Sequence, residues 1–278
     1  KERVLIGQER ISYNHVYVFA DKNESKYTHV AEIRSMSEET SHSVLVQARI
    51  SSAFEVVFTL PKVLRPVPAV TLLIALGMSL DDIVRQVPCL GKYVRHQTRD
   101  DALKFISENS SENAKGISEI FPHMSMFPET RKAQLVVQMI KKLVLVKSGA
   151  RAEDDRDNIS LKRAELSGVL VCELLKMHVK KFAEASRKIL SKRCDATIVF
   201  QKLFDIGKGI KHCFATGNWG VQKNAYIRSG VSQVLSRLSY ASMVSHIRRI
   251  VLPVDKDSKN VKIRQIHPTQ FGMVCVFE

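Results

Sequence analysis

The 278-residue sequence lacks the features that mark several large classes of protein. Its best apolar run, residues 69–76, is far shorter than the roughly 18 residues of a membrane helix and is followed by Gly77. The five cysteines are widely spaced and include no Cys-x-x-Cys pair, which argues against a cysteine-rich zinc site and a disulfide scaffold. We therefore expect an intracellular protein with reduced thiols and no membrane partner.

Motifs of self-contained catalysis are also missing. Residues 207–209 (Gly-Lys-Gly) lack the upstream glycine and the following Ser or Thr of a P-loop, and no serine nucleophile elbow is present. His178 shares no face with other metal ligands, so a structural histidine is the better interpretation. The acidic residues 154, 155 and 157 could in principle hold Mg²⁺. Four basic residues flank them: Arg151, Arg156, Lys162 and Arg163. The pattern therefore favours a salt-bridged turn.

Positive charge is abundant, and it is unevenly distributed. The net charge is +15, yet residues 1–128 hold 15 basic and 15 acidic residues. Residues 129–193 hold 16 basic against 8 acidic residues, and residues 194–278 hold 12 against 5. Because Lys and Arg release counterions when they neutralise phosphates, this asymmetry indicates a polyanionic partner for the C-terminal half. A solvated basic surface, or a face that meets an acidic subunit, remains the alternative.

The pattern of apolar residues predicts strands first and helices afterwards. Short runs of β-favouring residues predict strands at 4–6 and 16–19, and alternating apolar and polar residues predict strands over 29–35 and 43–50, with another at 54–60. Beyond Pro61, helices are predicted over residues 69–76, 100–108 and 129–146, with Gly77 ending the first and Ser79 capping the next. This order is typical of an α+β protein.

The second half is predicted to contain a long helix over residues 161–192 and another over 231–246. Strands are predicted at 261–266 and 273–277, on the far side of a charged loop at 254–260. Nothing in the sequence caps the last strand, so we expect the chain to be part of a longer protein. The single tryptophan, Trp219, lies in a glycine-rich turn, and a packed hinge is the better interpretation than a base-stacking platform.

Polar and basic residues near the end of the chain form the candidate binding site. Arginine grips phosphate through a planar fork, and lysines on a loop can follow a phosphate backbone without reading sequence. Asp255 and Asp257 weaken the case for the loop itself. The candidate residues are Gln233, His246, Arg248, Arg249, Lys256, Lys259, Arg264 and Gln265.

Several motifs, taken in order, resemble the second-largest subunit of multisubunit DNA-dependent RNA polymerases, the homologue of the bacterial beta subunit. The resemblance is strongest over residues 215–278 and looser over 36–150. The matching motifs lie at residues 4–10, 29–35, 154–157, 162–168, 215–220, 230–235, 245–249 and 264–269.

The resemblance implies three parts of a larger α+β subunit. Residues 1–158 would form a mixed lobe domain of strands followed by helices. Residues 159–218 would form the second, helical segment of the protrusion, and residues 219–278 an incomplete α/β fork region. In this family the fork lies beside the active centre, where it holds the RNA–DNA hybrid and downstream DNA during RNA synthesis.

The roles of individual residues in this family can be assigned only to the positions of this sequence that match the family's motifs. The resemblance implies that Gln233, His246 and Arg249 lie near RNA, that Lys256 faces DNA, and that Arg264 lies near the active centre. It implies no catalytic residue and no cofactor in this chain, because the Mg²⁺ of the complete enzyme is bound mainly by the largest subunit.

The implied partners are template DNA, the RNA transcript, the largest subunit and the other polymerase subunits. The implied location is the nucleus for a cellular eukaryotic enzyme, or the cytoplasm, viral factory or virion for an enzyme of a large DNA virus. A stand-alone basic nucleic-acid-binding or scaffold protein without catalysis is the alternative.

Overall fold

A computed structural model of the chain describes eight stretches, namely residues 2–21, 26–37, 43–94, 98–110, 120–192, 196–220, 228–253 and 265–275. The chain divides into two compact units. The sheet unit is Ser12–Arg156, and the helical unit combines Lys1–Ile11 with Asp157–Glu278. The predicted lobe-like domain, residues 1–158, included the first eleven residues, which here belong to the helical unit.

The sheet unit is built on five antiparallel strands in sequence order: β3 (Val16–Ala20), β4 (Tyr27–Met36), β5 (Ser43–Ser51), β6 (Val56–Thr59) and β7 (Val67–Pro68). Because successive side chains of a strand point to opposite faces, the alternating apolar residues of β5 all reach the core. The buried members are Val44, Val46, Ala48 and Ile50. The four strands predicted over residues 16–60 are confirmed.

The described helices of this unit are α1 (Ala69–Ala75), α2 (Leu80–Gln86), α3 (Arg99–Glu108) and α4 (Glu129–Lys147). Helices α1 and α4 pack against the sheet, and α2 and α3 pack against α1. Gly77 follows α1 with a φ of +85°, which a residue with a Cβ rarely adopts. The Ser79 hydroxyl accepts the amide hydrogen of Asp82 at 3.2 Å and so caps α2. The apolar residues of α4 repeat every three or four positions and are buried at Ala133, Val136, Val137, Ile140 and Leu143. The predicted helices of this region are therefore confirmed.

The acidic segment at the end of the sheet unit is a salt-bridged turn, as predicted. Asp154 lies 2.7 Å from the Lys142 ammonium and 3.3 Å from Arg151, and it accepts the amide hydrogen of Val18 at 2.8 Å. Burial opposes ionisation, but these hydrogen bonds and cations outweigh it and hold the pKa of Asp154 below its usual value. The bond to Val18 also satisfies an amide on the edge strand β3, which limits pairing with another chain.

Three more basic residues lie near the acidic residues 154, 155 and 157 in the sequence, but these three form ion pairs with other acids. Arg156 pairs with Glu32 of β4 at 2.9 Å. Lys162 pairs with Glu9, and Arg163 with Glu165, inside the helical unit.

In its described residues, the helical unit contains two small sheets and three α-helices. Strand β2 (Gly7–Ile11) lies between β8 (Lys162–Glu165), which is antiparallel to it, and β10 (Ile250–Val251), which is parallel. Strand β1 (Arg3–Leu5) pairs with β9 (Ser232–Val234). The helices are α5 (Ser167–Leu190), α6 (Ala196–Thr216) and α7 (Tyr240–Arg248). The described chain is thus α+β, which confirms the predicted class.

Three predicted elements of the second half are wrong in part. The long helix begins at Ser167, because residues 162–165 pair with β2 instead of continuing the helix. The helix expected over 231–246 is strand β9 followed by α7, since β9 pairs with β1 at the start of the chain. Met273 and Val274, expected in a strand, lie in turns after a short 3-10 helix at Pro268–Gln270. The predicted loop at 254–260 and most of the predicted strand at 261–266 fall outside the described residues.

No helix among the described residues is long and apolar enough to cross a membrane.

Helices α5 and α6 pack closely where a glycine faces a histidine. His178 of α5 is only 7% exposed, and its Nε2 atom has no hydrogen-bond partner among the described residues. Burial, followed by the charge of Lys181, lowers the pKa of His178, so the neutral ring is favoured in the folded chain. A Cβ added to Gly209 of α6 would lie 2.3 Å from the Cε1 atom of this ring. The contact therefore requires glycine at position 209.

We expect Gly209→Ala to destabilise the helical unit by about 1–3 kcal/mol, because the buried His178 ring has little room to move. Gly207→Ala, two residues earlier on α6, is the matched control: its Cβ would meet no atom within 4 Å, so better helix propensity should make it neutral or stabilising. Urea denaturation followed by the fluorescence of Trp219 measures both variants. Equal stability of the two would contradict the close packing, and His178→Ala should relieve the Gly209→Ala defect.

Candidate nucleic-acid interface

Four of the eight candidate site residues lie on one short stretch, from β9 to the end of α7. Gln233 is in β9, His246 is in the last turn of α7, Arg248 is the last residue of α7, and Arg249 follows it. Ser239 caps α7, since its hydroxyl accepts the amide hydrogen of Ser242 at 3.1 Å. Between β9 and α7 the chain reverses in a serine-rich turn, and this turn brings Gln233 and His246 side by side.

Gln233 and His246 are hydrogen-bonded to each other. The His246 Nε2 atom lies 3.1 Å from the Gln233 Oε1 atom, and its Nδ1 atom accepts the amide hydrogen of Ser236 at 3.1 Å. The Gln233 amide nitrogen donates to the Gly230 carbonyl at 3.0 Å. His246 is only 6% exposed. Both ring nitrogens therefore have partners within the chain.

Arg248 and Arg249 are different, because both side chains are exposed. Neither forms an ion pair with any other residue in the part of the chain that the structure describes. Arg237, by contrast, is paired with Glu2 at 2.6 Å. The Arg249 backbone is held in place, since its carbonyl accepts the amide hydrogen of Gly7 at 3.2 Å. Two guanidinium groups therefore extend into solvent from a fixed backbone. Exposed guanidinium groups of this kind can form bidentate hydrogen bonds with phosphates.

Of the other four candidate site residues, the structure describes only Gln265. Gln265 is exposed and lies just before the 3-10 helix at Pro268–Gln270. Lys256, Lys259 and Arg264 fall outside the described residues, so the structure does not test whether they join the site.

Trp219 is a packing residue, as the sequence predicted. It is 2% exposed and packs with Leu170, Leu174 and Val231 in the core of the helical unit. Its indole nitrogen donates to the Leu170 carbonyl at 2.9 Å, and its ring meets Phe214 edge-on at 5.1 Å. It cannot offer a face to a nucleic-acid base.

A buried carboxylate surrounded by arginines was not found from the sequence. Glu165 of β8 is 1% exposed, and it pairs with Arg228 at 2.8 Å, with Arg163, and with Arg10 at 3.9 Å. Arg10 and Arg228 come from distant parts of the chain, so local spacing could not have indicated the whole cluster. Burial, and then the charge of Glu165, raise the pKa of the neighbouring Glu173.

Within the described residues, no three His, Cys, Asp or Glu side chains are placed to hold a metal ion. Asp154, the best-placed acid of the acidic segment, is engaged by Lys142 and Arg151.

Comparison with known proteins agrees with this architecture of a sheet unit followed by a basic helical unit. The family model described as RNA polymerase Rpb2, domain 2, matches residues 12–165, which is more than half of the chain and begins where the sheet unit begins. The model for domain 3 of the same protein matches residues 233–278 and so contains all eight candidate site residues. The chain belongs to the RNA polymerase Rpb2 family, which confirms the resemblance drawn from the sequence.

Relatives from three kinds of organism are similar over the whole chain. DNA-directed RNA polymerase II subunit 2 of Arabidopsis thaliana is 35% identical, and the match covers 27% of that protein. A probable RNA polymerase II subunit RPB2 homolog of Invertebrate iridescent virus 6 is 33% identical over 29% of its length. The archaeal subunit Rpo2 of Saccharolobus solfataricus is 32% identical over 27%. The chain thus spans somewhat more than a quarter of the length of these relatives.

Proposed function

We propose that the chain is part of the second-largest subunit of a DNA-directed RNA polymerase, and that its helical unit holds nucleic acid during template-directed RNA synthesis. The observation that carries the proposal is the pair Arg248 and Arg249, which are exposed and lie within the match to domain 3. Similarity along the whole chain to polymerase subunits favours this function over a stand-alone basic scaffold.

The proposed part played by this chain is positional. Guanidinium groups on a fixed backbone bind phosphates without reading bases, so the contact can follow any template or transcript. By holding the RNA–DNA hybrid in register, these contacts would keep the reacting groups in position, so that they need not meet by random diffusion. Phosphoryl transfer itself would rest on Mg²⁺ held mainly by the largest subunit.

The proposed partners follow from this role: template DNA, the RNA transcript, the largest subunit and the remaining polymerase subunits. Lys256, Lys259, Arg264 and Gln265 are proposed to extend the contact towards downstream DNA and the active centre. The proposed location is intracellular, in the nucleus of a eukaryotic cell or in the compartment where a large DNA virus transcribes its genes.

We expect the double variant Arg248→Ala, Arg249→Ala to lower the elongation rate of the assembled polymerase about tenfold, because charge-assisted bonds to phosphate are lost. Each lost phosphate contact should also reduce the salt dependence of hybrid binding by about one unit of slope. Elongation on a synthetic RNA–DNA scaffold at several salt concentrations measures both effects.

Arg65→Ala is the matched control, since Arg65 is exposed in the charge-balanced part of the chain. It removes one exposed arginine, against two in the double variant, and should leave the elongation rate unchanged. The folded stability of the double variant should equal that of the wild type. Normal elongation by the double variant would rule out the proposed contact.

A further inference from the structure

We propose that Gln233, Ser236 and His246 form a latch that positions Arg248, and that His246 and Gln233 do not bind nucleic acid through their own polar atoms. The inference rests on the proposed function and assigns these residues a positioning role within it. It departs from the expectation that Gln233 and His246 face RNA as direct ligands.

The hydrogen bonds define the state of the His246 ring. The Ser236 amide can only donate, so the His246 Nδ1 atom, 3.1 Å away, must accept and carries no proton. A neutral ring then has its proton on Nε2, which donates to the Gln233 Oε1 atom at 3.1 Å. The Gln233 amide group, held by the Gly230 carbonyl at 3.0 Å, is thereby oriented with its oxygen towards the ring.

The latch ties the last turn of α7 to β9. At the other end of the helix, the Ser239 cap and a hydrogen bond of 2.7 Å between the Ser236 and Ser242 hydroxyls hold the first turn. Both ends of this short helix are therefore attached to the same turn, and the helix has little freedom to rotate about its axis.

The orientation of α7 decides where Arg248 points. Residues of an α-helix advance by about 100° each, so Arg248 lies about 200° from the inward-facing His246. A buried His246 thus places the Arg248 side chain on the solvent face, where it is exposed. Replacing the ring with an apolar one would remove its part-buried hydrogen bonds to the Ser236 amide and the Gln233 oxygen and so loosen this orientation.

A first double-mutant cycle in the assembled polymerase tests the latch, using Gln233→Met and His246→Phe. Each single variant should slow elongation about fivefold, because each removes the part-buried hydrogen bond between Gln233 and His246, and the double variant should be no slower than the worse single variant. Direct ligands of RNA would instead lose activity independently, so that the two effects multiply. Multiplying effects would overturn the proposal.

A second cycle, using His246→Phe and Arg248→Ala, tests whether the latch acts through Arg248. We expect His246→Phe to slow wild-type polymerase but to have less than about a twofold effect when Arg248 is already alanine. His246→Asn, whose side-chain oxygen can still accept from the Ser236 amide, should restore part of the rate. An undiminished effect of His246→Phe in the Arg248→Ala background would overturn the proposal.

The outcomes separate this inference from the function on which it rests. If Arg248→Ala alone leaves elongation normal, the proposed arginine contact is wrong. If Arg248→Ala slows elongation but the two cycles show independent effects, only the latch is wrong. If the polymerase carrying His246→Phe fails to assemble, Gln233→Met can replace it in the second cycle with Arg248→Ala. Gln233 is only half-buried, so this substitution is easier to accommodate.

Discussion

Replacing Glu165 with glutamine is expected to destabilise the helical unit by about 3 kcal/mol, because it removes the carboxylate from a buried ion cluster while keeping the shape of the side chain. Glu165 is 1% exposed and is approached by Arg10, Arg163 and Arg228, whose side chains are 25–30% exposed. With a neutral amide in its place, the three guanidinium groups repel one another with less compensation.

Urea is the appropriate denaturant for this measurement, since guanidinium salts would screen the same charges. Trp219, the single tryptophan, lies in the core of the helical unit, so its fluorescence reports unfolding of that unit. Glu173→Gln is the matched control. Glu173 lies 3.6 Å from Arg228 and is 21% exposed, so its replacement should have a much smaller effect. Equal effects of the two substitutions would show that the Glu165 cluster does not stabilise the unit.

Trp219→Ala is expected to destabilise the helical unit by about 3–5 kcal/mol, through the cavity left by the indole and the loss of its bond to the Leu170 carbonyl. The indole connects α5 to the chain after α6, so its loss should expose amides of both helices. Hydrogen exchange of α5 and α6, read by mass spectrometry, measures this without a tryptophan signal.

Trp219→Phe separates packing from hydrogen bonding. The phenyl ring keeps most of the apolar contacts, including the one with the Phe214 ring, but it cannot donate a hydrogen bond to the Leu170 carbonyl. We expect about 1–2 kcal/mol of destabilisation and protection close to that of the wild type. Unchanged exchange of α5 in Trp219→Ala would contradict the role assigned to this residue.

The candidate interface was partly accessible from the sequence. The exposed pair Arg248 and Arg249 follows from two adjacent arginines at the end of a helix, and the family resemblance predicts that Arg249 lies near RNA. The partnership of His246 with Gln233 was not accessible, because it depends on a turn that folds residue 246 back onto residue 233. Exposure and pairing of a polar side chain are properties of the folded chain, and spacing along the sequence does not contain them.

Local patterns decided the elements of the sheet unit. The strands β4 and β5 were evident because their apolar residues alternate with the period of a half-buried strand, and β3 because of its run of β-favouring residues. Helix α4 was evident because its apolar residues repeat every three or four positions, and α2 because Ser79 supplies its own cap. In each case the residues that make the element carry the signal for it.

Tertiary pairing decided the helical unit. Residues 162–165, Lys-Arg-Ala-Glu, have no strand character of their own and become β8 only because β2 lies alongside. Residues 232–234 become β9 because Arg3–Leu5 pairs with them from more than two hundred positions away. A short strand gains its hydrogen bonds from its partner, so its existence is a property of the pair, and only the folded chain brings the two together.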